Sequence, residues 1–455
     1  MMRKLSQLPS PPEKGLLGHV YYLKKGNIHR QMMEWQRRYG SLYRLRAGLK
    51  KALVIADVDL IREILKARPH DFRRISNIEA VFEEAGMNGV FSSEGENWKF
   101  RRRIVEGALQ PGQLERFHPH MQNITRRFSE RLTTLALAAQ GVSITDEFRR
   151  YTADITTMLA FGKDMNLTGS SENPVSSALQ SVFPVLHRRC RSPFPLWRLY
   201  RSKEDKAFDE GLDRIKVTLA ELIEEQRRII ISGDVTTPEN FLQAMVLQQK
   251  DHQMLTDRDI VANALTLLLA GEDTTANTLA WTVYLLSRHP EAEQKLIQEI
   301  DQHNDGDPLP WPLPSLPWMN AVIKESMRLK PVAPQIYLEP MNDTCIGDVA
   351  ISKGTPLFLA LHAGALDEAY FSDAQSFDPS RWTNREGASM NALFPFGGGA
   401  RMCPGRSLAL TEIKMALHAL YSNFKLIPLQ DPNSVRERFA FTMAPLNFRA
   451  TIIRR

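Results

Sequence analysis

Three cysteines in 455 residues, Cys190, Cys345 and Cys403, are too few and too odd in number for a disulfide framework. A reducing, cytoplasmic setting fits that scarcity. Long apolar runs are missing too. Met1 to Val20 contains Pro9, Pro11 and Pro12 and nothing near the roughly 20 apolar residues of a membrane helix. Neither a signal peptide nor a membrane anchor is expected, and residues 1–15 read as a proline-containing arm. No second cysteine or histidine stands at ligand spacing around Cys403, which sets a zinc site aside. The formal charge of +6 comes without basic residues interleaved with aromatics on a nucleic-acid motif, so that class is excluded as well. A basic face suits a small acidic protein partner better.

What the chain does have is Phe396-Gly397-Gly398-Gly399-Ala400-Arg401-Met402-Cys403-Pro404-Gly405, one cysteine on a glycine-rich loop ahead of a helical run from Ser407 to Tyr421. A thiolate ligand needs positive character, backbone N–H donors and restricted water around its sulfur. The loop offers each. Its glycines let the backbone pass close to a flat macrocycle, and Phe396 can cover the sulfur. Arg401 is placed for a haem propionate, and the positive end of the following helix dipole favours the thiolate. These residues predict haem b with the Cys403 thiolate as axial ligand, cradled by Phe396, Gly397, Arg401 and Gly405. A buried structural cysteine in a glycine-rich turn is the plainer alternative for this stretch alone.

The decapeptide matches the pattern F-x-x-G-x-R-x-C-x-G at every fixed position, and on it the chain resembles the cytochrome P-450 haem-thiolate monooxygenases, from about residue 9 to its end. The resemblance implies one mainly helical domain over residues 1–455 with a small β region. The haem is then expected between a long central distal helix and the proximal cysteine loop and helix. Too little sequence remains for a fused reductase. Electrons are therefore expected from a ferredoxin or flavodoxin with an NAD(P)H-dependent reductase, and the enzyme from a soluble, bacterial-type branch.

Three further stretches carry the resemblance. Ala270-Gly271-Glu272-Asp273-Thr274-Thr275 is similar to the family's oxygen-activation motif. Ala270 and Gly271 are expected to leave space beside the iron. Thr274 is expected to turn its hydroxyl toward the i−4 carbonyl or toward bound oxygen, and Asp273 to connect it to solvent protons, an acid and an alcohol forming a short relay. Taken alone, the same residues would read as a polar patch on a helix. Glu325-Ser326-Met327-Arg328 places acid and base on one helical face, and the resemblance adds Arg381 as a third member of a buried structural network. Trp98 and Arg102, four apart, resemble propionate ligands. Lys99, Arg103, Arg406 and Lys414 are expected to form a docking patch for the electron donor. One departure stands out: Pro334 to Pro340 holds no arginine where many relatives carry one for the second propionate, and His362 is a possible substitute.

Elsewhere, Ser41–Arg46 and Ala52–Ile55 read as a hairpin, Asp57 as a helix cap, and Ile75 to Ser93 as an irregular connection lying over the substrate. Thr256 with Asp259 opens a helix of roughly 30 residues reaching Arg288, ended by His289-Pro290. The proline-dense segment from His303 to Pro317 resembles a linker by composition. It is not taken as a boundary, because the distal helix precedes it and the haem ligand follows. The resemblance implies that two electrons, two protons and dioxygen yield an oxygenated product and water. Pocket walls are expected from Val90, Phe91, Leu267, Ala270, Val332, Ala333, Gln335, Ile336, Met443 and Ala444, mostly apolar, which suits a lipophilic small-molecule substrate. A peroxide-driven peroxygenase or an isomerase is one alternative, and a non-catalytic haem sensor another.

Overall fold

Short-range signals start most of the elements that hold the site. In the computed structural model, which describes all residues except 1, 24–26, 170–173, 193–194, 234–236, 252–254, 305, 307 and 384–389, helices dominate and the strands gather into small sheets. The Asp57 carboxylate accepts the Asp59 and Leu60 N–H groups at 3.0 Å each and opens the helix Val58–Ala67. Thr256 and Asp259 cap each other reciprocally: the Thr256 hydroxyl accepts the Asp259 N–H at 3.2 Å, and the Asp259 carboxylate accepts the Thr256 N–H at 3.0 Å. From there the 31-residue distal helix Asp257–Ser287 runs until the His289-Pro290 step, where a new helix, Pro290–Asp301, begins. No helix among the described residues is long and apolar enough to cross a membrane.

The largest sheet orders its strands Leu42–Ala47, Lys50–Ile55, Leu357–Leu359, Ile336–Pro340 and Phe72–Arg74. Its first two strands form the expected hairpin, and at the far edge Arg74 stands opposite Leu338. Near the C-terminus a second hairpin, Arg436–Ala440 with Thr442–Leu446, turns on Phe441 alone. Phe441 has φ +72°, a strained value for a bulky side chain.

One sequence expectation is adjusted. Ile75 to Ser93 is irregular only in its second half, because Ser76–Glu84 forms a helix that buries Ile78, Val81 and Phe82. Nine residues show too few apolar positions for a period to stand out. The proline-dense segment, described apart from residues 305 and 307, is stitched to the helix Pro111–Ala138. His118 Nε2 lies 2.8 Å from the Leu309 carbonyl, and Gln122 donates to the Pro308 and Leu309 carbonyls. One apolar cluster holds residues from Ile28 to Ile452, including those of the distal helix and of the helix Arg406–Asn423 that follows the cysteine.

Candidate active site

The cysteine loop is folded by its own backbone. The Cys403 N–H donates to the Phe396 carbonyl at 2.9 Å, and the Met402 N–H to that of Gly399 at 3.1 Å. Gly399, at φ +63°, lies so close to the helix Val58–Ala67 that a Cβ there would come within 2.1 Å of the Leu65 carbonyl oxygen. Only glycine fits. Burial pushes the Cys403 thiol up, while the Gly405 N–H and Arg102 pull it down.

On the distal helix, every residue from Ala262 to Leu286 is buried except Leu267, Ala270, Gly271 and Thr274. Leu267, Ala270 and Thr274, at spacings of three and four, share one face that the packing leaves uncovered, with Gly271 half-buried at its edge. Thr274 lies on that face and donates its hydroxyl to the Ala270 carbonyl at 2.6 Å, the i−4 bond expected of it. Gly271 is a correction. A Cβ on it would meet Thr156 Oγ1 at 2.7 Å, so its size serves packing against the helix Ile144–Phe161, and only Ala270 keeps the expected small-residue role toward a ligand.

Asp273 turns the other way, as its place one residue off the stripe requires. Its carboxylate accepts from Arg149 Nε at 3.1 Å and Nη2 at 3.0 Å, and from the Thr442 hydroxyl of the C-terminal hairpin. Asn277 donates to Thr442 Oγ1 at 3.1 Å. Arg149 also donates to Asp146, whose side chain is 55% exposed, so Asp273 is linked to solvent by an ion-pair chain. Asp273 and Thr274 do not touch; the short direct relay is corrected to two groups on different faces. Sequence reasoning passed over Glu272, buried beside Asp273, with Oε2 lacking a partner among the described residues. Burial first, then the Asp273 charge, pushes its carboxyl up to about 8, against Arg149.

Beneath the site, Glu325 and Arg328 are fully buried and joined twice, Nε to Oε2 at 2.8 Å and Nη2 to Oε1 at 2.7 Å. Arg381 Nε adds a bond to Glu325 at 3.0 Å, Trp382 Nε1 another at 2.8 Å, and the Asp378 N–H a third at 2.9 Å. Arg328 spends its remaining donors on the carbonyls of Ala365, Ala374 and Ser376.

A second arginine group is built differently. Arg401 stacks 4.1 Å over the Trp98 ring and donates Nη2 to the Ser93 carbonyl and the Glu94 carboxylate, leaving Nε and Nη1 buried without acceptors among the described residues. Among the described residues Nε and Nη2 of Arg68, 3% exposed, meet no acceptor either. Burial and the neighbouring Arg74 and Arg401 charges push Arg68 down to about 9, and burial pushes Arg401 down to about 10 despite Glu94. Arg102 is taken up by Glu106 at 2.7 Å but lies close enough to act on Arg401. Orphaned guanidinium donors around the cysteine loop fit a ligand that brings carboxylates, and haem b brings two. Trp98, Arg102 and Arg401 would hold it together with Arg68 and Arg74, which sequence reasoning missed. No base stands between Pro334 and Pro340, and Arg74, opposite Leu338 on the paired strand with its Nε on the Phe91 carbonyl at 3.1 Å, would take that part.

His362 does not take that part: Nε2 lies 3.1 Å from the Arg328 carbonyl, and burial, with His29 next, pushes the ring down to about 3, among His29, Glu437 and Lys330 rather than the arginines. Of the expected walls, Val90, Phe91, Leu267, Ala270, Val332, Ala333 and Ala444 are not buried. Three depart. Met443 is 1% exposed with its backbone tied to Val332 and Trp281; Gln335 is spent on Met32 and Tyr337; Ile336 packs into the sheet's own apolar cluster. Alternation along the strand Thr442–Leu446 leaves Ala444, not Met443, toward the open side. Of the basic residues expected near the sulfur, Arg103 and Arg406 are exposed, Lys99 is paired with Glu96, and Lys414 is half-buried.

Comparison with known proteins agrees with this geometry. The family model described as Cytochrome P450 matches residues 8–452. The chain is 27% identical over 448 residues to Cytochrome P450 27C1 of Danio rerio, covering 93% of this chain and 82% of that protein. It is 28% identical over 405 residues to Cytokinin hydroxylase of Arabidopsis thaliana, covering 86% and 77% respectively. The crystal structure of the cytochrome P450DA heme domain superposes with a TM-score of 0.87 at 25% identity, over 100% of this chain and 99% of that one.

Proposed function

The chain belongs to the cytochrome P450 family and is a haem-thiolate oxidoreductase, and from that premise we propose that it inserts one atom of dioxygen into a lipophilic small molecule, by hydroxylation or epoxidation. The observation that carries this reading is the open stripe of Leu267, Ala270 and Thr274 on an otherwise buried helix. When bound, the haem with its thiolate supplies the redox chemistry that splits dioxygen.

The chain's own residues do the rest. Cys403 supplies the ligand, and Arg68, Arg74, Arg102, Arg401 and Trp98 orient the group through its carboxylates. The Thr274 hydroxyl, parked on the Ala270 carbonyl, is the alcohol able to swing into the open space and hand on a proton. Asp273 collects protons from solvent through Arg149 and Asp146, and a water, or a turn of its side chain off Thr442, bridges it to Thr274. That solvent link favours oxygen activation over a peroxide-driven reaction or a passive sensor, neither of which needs proton delivery.

Arg103 and Arg406 give the surface near the sulfur a positive sign, which suits a small acidic ferredoxin or flavodoxin fed by an NAD(P)H-dependent reductase. Cysteine scarcity fits a cytoplasmic location. The relatives named above come from an animal and a plant, so the bacterial-type expectation gains nothing from them.

The test is spectroscopic and then kinetic. Reconstituted wild type should show the red-shifted Soret band of a thiolate-ligated, reduced carbonyl complex, and Cys403→Ala should lose it; an unchanged band in that variant refutes the assignment. Thr274→Ala should keep the band and divert reducing equivalents to peroxide. Tight coupling there would remove Thr274 from proton delivery.

A further inference from the structure

Asp273 is gripped from two sides, and the two grips differ in chemistry. Arg149 Nε and Nη2 hold Oδ1 at 3.1 and 3.0 Å. On the other side the Thr442 hydroxyl, buried at the start of the strand Thr442–Leu446, donates to Oδ2. Asn277, buried one turn further along the distal helix, donates Nδ2 to Thr442 Oγ1 at 3.1 Å. The direction of this chain is forced. A hydroxyl carries a single proton, and Thr442 spends its own on the acid, so Asn277 has to present its amide nitrogen. Asn277 Oδ1 is thereby left buried without a donor among the described residues.

The arrangement suits the acid without its proton. An acid that hands protons on has to be held in both of its states. Arg149 can only donate, because a guanidinium has no acceptor. Thr442 can turn. With a proton on Oδ2, the Thr442 oxygen accepts from the acid, and its own hydrogen then needs an acceptor. A half-turn of the Asn277 amide brings Oδ1 to that place. The amide oxygen orphaned in one state is used in the other, which accounts for an unsatisfied acceptor inside the protein.

Resting on the monooxygenase reading above, we propose that Thr442 and Asn277 are positioning residues for Asp273. They form a hydrogen-bond chain that points toward the acid while it is ionised and away from it while it carries the proton bound for Thr274. The proton enters from solvent and leaves to the alcohol; the chain only reverses and resets. The C-terminal hairpin thus acts in proton delivery through Asp273.

Direction is read by neutron diffraction from deuterium-exchanged crystals of the holoenzyme. Asp273→Asn stands in for the protonated acid, since Arg149 keeps the remaining oxygen and the amide nitrogen falls at Thr442. The Thr442 deuterium should lie toward Asp273 in wild type and toward Asn277 Oδ1 in Asp273→Asn, with the Asn277 amide turned over. An unturned amide overturns the proposal.

Function is read with NADPH, a plant-type ferredoxin and its reductase as electron supply, without organic substrate. Dioxygen that takes two electrons and two protons leaves as hydrogen peroxide, whereas four of each give two waters. Thr442→Val should lower the ratio of water to peroxide about tenfold, the worth of one hydrogen bond to a charged group, and Asn277→Leu should lower it in the same direction. Thr442→Ser should restore the ratio, whereas a packing role would be served by valine and lost with serine. A wild-type ratio in Thr442→Val, or peroxide alone from wild type, overturns the proposal as well. A missing thiolate band in wild type would sink the monooxygenase reading, while the deuterium positions still judge the chain.

Discussion

The molecule buries two groups of arginines that differ in what faces them. Around Glu325, every donor of Arg328 ends on a carboxylate oxygen or a carbonyl, and Arg381, Trp382 and the Asp378 N–H fill the remaining lone pairs of the acid. Around Arg68 and Arg401, four buried donors, Nε and Nη2 of the first and Nε and Nη1 of the second, meet no acceptor among the described residues. Satisfied guanidiniums hold the fold together; unsatisfied ones mark the place of something the chain does not itself supply.

If that distinction is right, equal truncations should have unequal consequences. Arg328→Ala strands Glu325 inside the protein and should cost about 3–5 kcal/mol in chemical unfolding, with or without haem. Loss within experimental error would place the network outside the fold's stability. Arg68→Ala should leave the haem-free protein as stable as wild type or more so, because it removes an uncompensated buried charge. The same change should weaken haem binding about tenfold to a hundredfold, as expected for a lost charged hydrogen bond. An Arg68→Ala protein that unfolds easily yet binds haem normally would reverse the two roles.

A smaller effect sharpens the picture on the distal side. Glu272 holds its proton up to about 8 when folded, against an ordinary value of 4.5. The folded chain therefore binds the extra proton, so this carboxyl contributes its stability below about pH 4.5 and loses it progressively as pH rises to about 8. Glu272→Gln should flatten stability across that window, its advantage over wild type growing with pH. Parallel curves for the two proteins would show that Glu272 ionises as freely as in the unfolded chain.

What the chain announced and what it hid divide along the same lines. The Cys403 decapeptide, the Asp57 cap, the Thr256–Asp259 box and the Glu325–Arg328 spacing all work through neighbours within a few residues, and a linear reading reaches them. Arg74 is different. It would stand in for the missing base only because its strand pairs with the one carrying Leu338, and nothing near either residue in sequence says so. Phe441 meets Phe82 and Phe91 because a hairpin turns on that residue, and Met443, two positions on, is turned into the core instead. Glu272 looked like a spacer within a motif until burial gave its carboxyl a role. The direction each helical residue takes also escaped the motif as a whole. Asp273 and Thr274 are adjacent in the chain and 100° apart around the helix axis by ordinary helical geometry, roughly the difference between an open face and a buried one.

The contrast between the arginine groups is tested most directly by titrating the haem-free protein with iron protoporphyrin IX and with its dimethyl ester, which lacks both carboxylates, in wild type and in Arg68→Ala. Wild type should strongly prefer the free acid, and the variant should lose most of that preference. Equal affinity of wild type for acid and ester would contradict the assignment of the unsatisfied arginines to the cofactor.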